Sequence, residues 1–257
     1  MSGDPAGGAL PSSAAGSSAP RSIPPSWSVL VATSVALLLL AAAALAVARG
    51  LTTRTELTTY RARGTPERIV LTLESGNAEI VGGGRGAVEV RRTTRYSYGH
   101  APRERRSATD GRLRISSDCP SVLFGGCTTG YRLTIPDNVP VTVRTAGGTV
   151  RLAGVRGSAE INSGAGDVDV DTFCGFSLAI ETTSGHARTT ASCSPQRLEM
   201  TSASGNLNAT VPVGTYRVQA ESEEGAREVT DLETSSQAPF EIRVISESGD
   251  VTVRGGA

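Results

Sequence analysis

Ser163-Gly164-Ala165-Gly166-Asp167-Val168-Asp169-Val170 decides the fold, because the chain rewrites this stretch along much of its length. Related segments are Ser75-Gly76-Asn77-Ala78, Gly147-Gly148-Thr149-Val150, Ser184-Gly185-His186-Ala187, Ser204-Gly205-Asn206-Leu207, Glu224-Gly225-Ala226-Arg227 and Ser248-Gly249-Asp250-Val251. From Gly148 the aligned glycines fall at 148, 166, 185, 205, 225 and 249, in steps of 18, 19, 20, 20 and 24 residues. A period of that length is a structural repeat.

Seven positions before the glycine stand Ile69, Val141, Ala159, Leu178, Leu198, Val218 and Ile242. Five before it stand Leu71, Val143, Ile161, Ile180, Met200, Ala220 and Val244. Three before it the residue is mostly a small hydroxyl (Thr145, Ser163, Thr182, Ser202, Ser222, Ser246), and apolar residues return two and four after it, as in Val168 and Val170. Period-two alternation broken by a glycine turn describes two short strands per repeat. One such unit cannot bury its apolar face alone. Equivalent positions carry the same residue class in every unit, which stacked coils about 4.8 Å apart require and an antiparallel sandwich does not. The expectation is an all-β, parallel β-solenoid of 18–20-residue coils, with a thin interior, since aromatics are only 4% of the chain.

The four cysteines follow the same geometry. Cys174 and Cys193 each lie eight residues after a repeat glycine, so in a solenoid they stack on adjacent coils within disulfide reach. Cys119 and Cys127 bracket a turn-rich loop. The pairing 119–127 and 174–193 implies an oxidising, extracytoplasmic compartment; the spacings are not those of zinc sites.

Residues 1–27 are rich in Gly, Ala, Ser and Pro and are expected to be a disordered tail. Residues 28–48 are expected to form a transmembrane helix, with Trp27 at an interface and 49–67 as a polar juxtamembrane linker. A cleaved signal peptide is the rival reading, given Ala46-Val47-Ala48. The arginines that follow the helix (Arg49, Arg54, Arg61, Arg63, against Arg21 before it) favour a cytoplasmic C-terminal part. The cysteines argue for the opposite side and outweigh them.

Twenty-five basic residues, all Arg, balance 25 acidic ones, which gives no footing for a nucleic-acid partner. The Arg91–Arg114 stretch, including Arg103, Arg105 and Arg106, reads as a long hairpin turning at Asp110-Gly111 with a charged tip. Either it is simply solvated, or it is a patch for teichoic acid, phosphate headgroups or acidic glycan. Asp167, Asp169 and Asp171 share the outer face of one strand. Such a row suits calcium, but Arg151, His186 and Arg188 on neighbouring coils suit ion pairing better. One strand face also does not set two carboxylates across a sugar. His186 fills the turn slot held elsewhere by Asn or Asp, and the Ser-Gly pairs lack a histidine base. No catalytic residue, cofactor or metal ligand is assigned.

Residues 131–144, YRLTIPDNVPVTVR, alternate cleanly. Leu133-Thr134-Ile135-Pro136-Asp137-Asn138-Val139-Pro140-Val141-Thr142-Val143, followed by Ser-Gly-(Asp/Asn)-x-x-Val units, resembles the bacterial putative-adhesin domain family of unknown function over roughly residues 68–255. That resemblance implies an N-terminal membrane helix, a right-handed β-helical domain outside the membrane and no catalytic residues. The Glu224-Arg227 unit departs from the pattern. The expectation is therefore a single-pass cell-membrane protein whose solenoid, residues 68–257, is a non-catalytic binding or scaffold module of the envelope. Its partner would be an envelope polymer or protein. Val251–Val253, in the last coil, would leave an open edge for self-association. The alternatives are a calcium-dependent polysaccharide-active enzyme or an envelope-stress sensor subunit.

Overall fold

A computed structural model describes residues 27–51, 53–62, 64–84, 86–97, 100–120 and 126–256; the expected tail before Trp27 lies outside them. The chain divides into two units, residues 1–46 and 47–257. The helix α1 (Trp27–Leu51) carries a 19-residue apolar window, Leu30–Ala48, of mean hydropathy 2.6, none of it buried. That length and composition fit a membrane span and equally a signal sequence.

Twenty strands follow among the described residues. β1 (Thr53–Arg61) comes first, then a coil made of β2 (Arg68–Leu73) and β3 (Ala78–Gly82). An insertion supplies β4 (Glu89–Ser97), β5 (Arg103–Thr109), β6 (Arg112–Asp118) and β7 (Cys127–Ile135). Regular coils follow: β8 (Val141–Thr145) with β9 (Val150–Ala153), and β10 (Ala159–Ala165) with β11 (Val168–Phe173). Next come β12 (Ser177–Ser184) with β13 (Ala187–Ala191), and β14 (Arg197–Ser204) with β15 (Leu207–Pro212). The chain ends with β16 (Thr215–Ser222), β17 (Arg227–Thr230), β18 (Glu233–Thr234), β19 (Glu241–Ser248) and β20 (Val251–Gly256).

The strands form two ten-stranded sheets, and each coil contributes one strand to each. Sheet I runs β1-β4-β7-β3-β9-β11-β13-β15-β20-β17, and sheet II runs β18-β16-β19-β14-β12-β10-β8-β2-β6-β5. The repeat register is the one written in the sequence. Ala159 lies beside Val141 and Leu178, and Ile161 beside Val143 and Ile180, all in parallel pairing. These rows are buried and form one core from both sheets.

Two side-chain devices explain the turn motif. In several coils the inward hydroxyl three before the glycine bonds a turn carbonyl: Thr145 Oγ1 donates to Gly147 O (2.9 Å), Ser246 Oγ to Gly205 O (3.1 Å) and Ser222 Oγ to Gly249 O (2.7 Å), whereas the Ser163 and Ser202 hydroxyls are buried without a partner. The residue after the glycine accepts the backbone N–H of its counterpart on the next coil. Asp167 Oδ1 takes His186 N–H (3.0 Å), His186 Nδ1 takes Asn206 N–H (3.1 Å), Asn206 Oδ1 takes Asp250 N–H (2.9 Å) and Asp250 Oδ1 takes Ala226 N–H (2.9 Å). A turn amide facing the next coil is best met by a short side-chain acceptor, which is what Asp, Asn and His supply in this slot. His186 serves there only with Nδ1 unprotonated. Replacing His186 with Asn should leave the melting temperature near the native value, whereas Leu should cost on the order of 1 kcal/mol in a urea melt.

At both ends the order of the coils is not the order of the chain. The last strands, β19 and β20, lie between β14/β15 and β16/β17, so the Glu224-Arg227 unit is the outermost coil. The expected open edge at Val251–Val253 is thereby corrected: this strand is internal, and the free edge belongs to β17. The reason lies in the side chains. Ile242, Val244, Val251 and Val253 are fully buried, whereas β17 offers Arg227, Glu228 and Val229 to solvent. A charged, short strand is suited to an edge. The turn slot agrees, because Ala226 has no acceptor and no coil beyond it to bond. At the other end β2/β3 sits between β8/β9 and β6/β7, skipping the insertion.

Two further expectations are corrected. Residues 53–61, within the expected linker, form β1, which pairs antiparallel with β4 over nine residues. Its Thr-rich composition favours a strand, but its exposed faces give no apolar period. The long Arg91–Arg114 hairpin is instead split between sheets. β4 belongs to sheet I, and only β5 and β6 form a hairpin, turning at Asp110 (φ 52°) and Gly111 (φ 68°). Positive φ at both central residues is the two-residue turn that the Asp-Gly pair favours. The tip does not project freely: Gly111 O accepts Glu67 N–H (2.6 Å).

Candidate binding faces

Asp167, Asp169 and Asp171 stand at the outer face of sheet I, all exposed. Asp167 is in the turn and caps His186. Asp169 lies in register between Arg151 and Arg188, and Asp171 beside Ala153. The register continues as a row of alternating charge, Arg132, Glu79, Arg151, Asp169 and Arg188, before reaching Asn208. Arg132 and Glu79 are 3.0 Å apart. Around Asp169 the row borders a shallow groove of about 450 Å³ lined by Arg151, Asp167, Asp169, His186, Arg188 and Asn208 among others. Among the described residues no three acidic, His or Cys side chains converge as a metal-binding group.

The three candidate arginines stand apart from this row, on β5 at the edge of sheet II. Arg103 is opposite Asp118, and Arg105 reaches Asp118 Oδ2 at 3.3 Å with its side chain largely exposed. Arg106 turns the other way. Its guanidinium lies 4.2 Å from the centre of the Tyr60 ring, and its Nε is 3.6 Å from Glu104 Oε1. Glu104, 8% exposed at the side chain, also pairs with Arg92 and accepts the Tyr60 hydroxyl at 2.5 Å. Arg106 is thus part of a bonded cluster that ties β1 and β4 of sheet I to β5 of sheet II.

Burial, then the bond to Glu104, pushes the Tyr60 hydroxyl well above the ordinary phenol range, and burial raises Tyr131 as well. A neutral phenol is the form the fold favours. The associated stability is present below the unfolded phenol value of about 10 and is lost as pH rises beyond it. Alkaline melts should show a steep fall above pH of about 10 that Tyr60→Phe makes shallower.

Sheet II also carries a group that the sequence did not mark as one. Arg68 of β2 lies directly beside Arg112 of β6, and Arg114 lies beside Val70. Arg112 and Arg114 fall in the basic Arg91–Arg114 stretch, but Arg68 is 44 residues from Arg112. Only the stacking of β6 on β2 brings them together, and no local pattern signals it.

The disulfides Cys119–Cys127 and Cys174–Cys193 have Cα separations of 5.6 and 4.7 Å. The second joins turns of adjacent coils. Replacing both of its cysteines with Ala should lower stability by about 3 kcal/mol, the loop-closure value for a link across 19 residues; denaturant melts of oxidised protein check this.

Among solved structures, a "putative cell adhesion protein" from Clostridium sporogenes is 12% identical with a TM-score of 0.43, covering 80% of this chain and 100% of that one. A "putative adhesin" from Bacteroides fragilis is 13% identical with a TM-score of 0.41, covering 78% and 97%. A "putative lipid binding protein" from Parabacteroides distasonis is 12% identical with a TM-score of 0.31, covering 76% and 96%. No curated protein matches the chain. Residues 137–254, the span from the turn before β8 into β20, match the family described as Toastrack DUF4097, so this part of the chain is similar to that domain of unknown function.

Proposed function

We propose that the chain is a single-pass membrane protein whose strand-bearing unit is displayed outside the cytoplasm as a non-catalytic, adhesin-like binding module. In this reading α1 stays uncleaved, and the two sheets close into right-handed coils, the hand that parallel crossovers adopt. The observation that carries the reading is the Cys174–Cys193 bond, which follows an apolar helix of membrane-spanning length. A bond between coils persists only where thiols are kept oxidised. The interior holds apolar and hydroxyl side chains, and the charged groups form rows on the outer faces. Such an arrangement offers side chains at fixed intervals to a partner rather than an enclosed reaction site. Intact cells treated with a membrane-impermeant maleimide tag should label the protein only after external reduction. The full-length chain should also keep its helix in membrane fractions. Labelling without reduction, or recovery of the chain cut after Ala48 and free of membranes, overturns the reading. Calcium should leave the melting temperature unmoved; a rise abolished by Asp169→Asn would favour the calcium-dependent enzyme instead.

A further inference from the structure

Across both sheets, arginines on the outer faces meet carboxylates from the neighbouring strand. Arg144 reaches Glu160 at 3.1 Å, Arg132 reaches Glu79 at 3.0 Å, Arg243 reaches Glu199 at 3.9 Å, and Glu241 lies between Arg197 (3.6 Å) and Arg217 (3.9 Å). Two places set arginine opposite arginine: Arg91 stands across from Arg132 on β4 and β7, where Glu79 takes Arg132, and the other lies on sheet II. Arg68 faces Arg112 across β2 and β6, with Arg114 two residues further along, and among the described residues none of the three has an ion-pair partner. All three are exposed. Like charges directly opposite one another on adjacent strands destabilise a sheet. Together they border an open groove of about 390 Å³, with Val70, Thr72 and Thr142 along it and the Arg144–Glu160 pair at its far side.

We propose that this groove binds an extended soluble polyanion bearing phosphate groups along its chain, which names the ligand class for the binding module inferred above and rests on that reading. Adjacent strands set the backbones of Arg68 and Arg112 about 4.8 Å apart, and Arg114 lies about 6.6 Å along the strand from Arg112, within mutual reach of their long side chains. Guanidinium forks match the oxygens of a phosphate in pairs. Two neighbouring forks therefore converge on one phosphate while the third takes the next along a flexible chain. A lipid surface is the weaker fit, because an interfacial site wants apolar side chains beside its basic ones. The exposed large apolar residues of the strand-bearing unit, Leu57, Phe176, Val213 and Val229, all lie outside this groove.

The test is anisotropy of fluorescent inorganic polyphosphate titrated with the full chain in detergent, at low and at physiological salt. Arg112→Glu combined with Arg114→Glu should weaken binding about ten-fold or more, the loss expected for charged hydrogen bonds. The melting temperature should stay level or rise, because residue 112 then opposes Arg68 with the opposite charge. Arg197→Glu, outside the groove, should leave binding unchanged. Absence of polyphosphate binding by the native chain overturns the proposal, as does equal binding by the double variant. Binding to phosphatidylglycerol vesicles but not to polyphosphate overturns it in favour of a membrane surface. The maleimide result is untouched by any of these outcomes, so failure here leaves the display reading standing.

Discussion

A chain ending at residue 240 should lose the distal part of the fold, because the last strands in sequence are not last in space. Removing β19 and β20 takes a coil from between two others and strips Ile242, Val244, Val251 and Val253 from the core, each fully buried. At about 1.5–3 kcal/mol per side chain, the gross loss is roughly 6–12 kcal/mol, against a total stability of about 5–15 kcal/mol for a domain. Glu241 goes too, leaving Arg197 and Arg217 without the carboxylate they share.

The shortened chain has one fallback, which is to slide β16 inward against β14. Leu198 and Val218 both align with Ile242, so the register permits it. The result would be poor, since β17 would set Arg227 where the inner coils carry Val, Ala or Leu. The expected observation is a melting temperature at least about ten degrees lower. Hydrogen exchange should show lost protection in β14–β17 while β8–β11 stay protected. A truncated chain that melts with the native one would mean that the final coil lies at the end of the stack.

That misplacement shows what a repeat can and cannot say. The rows of Ile161, Ile180 and Met200 made the coils from β8 to β15 readable, and Cys174–Cys193 followed from the same spacing. A period, however, fixes how coils stack and not which coil stacks next. The order at the distal end is decided by which coil tolerates solvent on one side. The information was present in residues that looked like irregularities: Ala226 without an acceptor, and Arg227 in an apolar row. At the proximal end, β1 and β4 close the stack with antiparallel strands whose Thr and Arg residues leave no apolar period. Pairing between β2 and β6 spans an insertion, so the Arg68–Arg112 juxtaposition had no local signature. Sequence alternation sets Asp167 in an acidic row, whereas its carboxylate accepts the His186 N–H in the turn ladder. Composition alone sets Arg106 in a basic tip, whereas its guanidinium lies over the Tyr60 ring and beside Glu104.

Gly185→Ala should be among the most damaging single-methyl changes in the regular coils. Gly185 has φ +129°, and a Cβ there would lie 2.3 Å from the carbonyl oxygen of Gly166 on the coil beneath. The same approach recurs along the stack, with Gly205 over Gly185 and Gly249 over Gly205. Neither coil next to Gly185 can retreat without breaking its own pairing on the far side. Backbone strain of about 1–3 kcal/mol adds to the steric overlap, so a total above about 4 kcal/mol is expected, the range reserved for severe core defects. Gly225→Ala supplies the internal comparison. Its Cβ would come as close, 2.2 Å from the Gly249 carbonyl oxygen, but Gly225 is absent from the positive-φ glycines and no coil lies beyond it. The outer coil can shift away from the stack, so the cost should be less than half as large in denaturant melts. Equal losses would show that the outer coil is held as firmly as an inner one. A mild effect at Gly185 would show that successive turns do not meet at their glycines, and the hydroxyl and acceptor ladders built on that contact would fall with it.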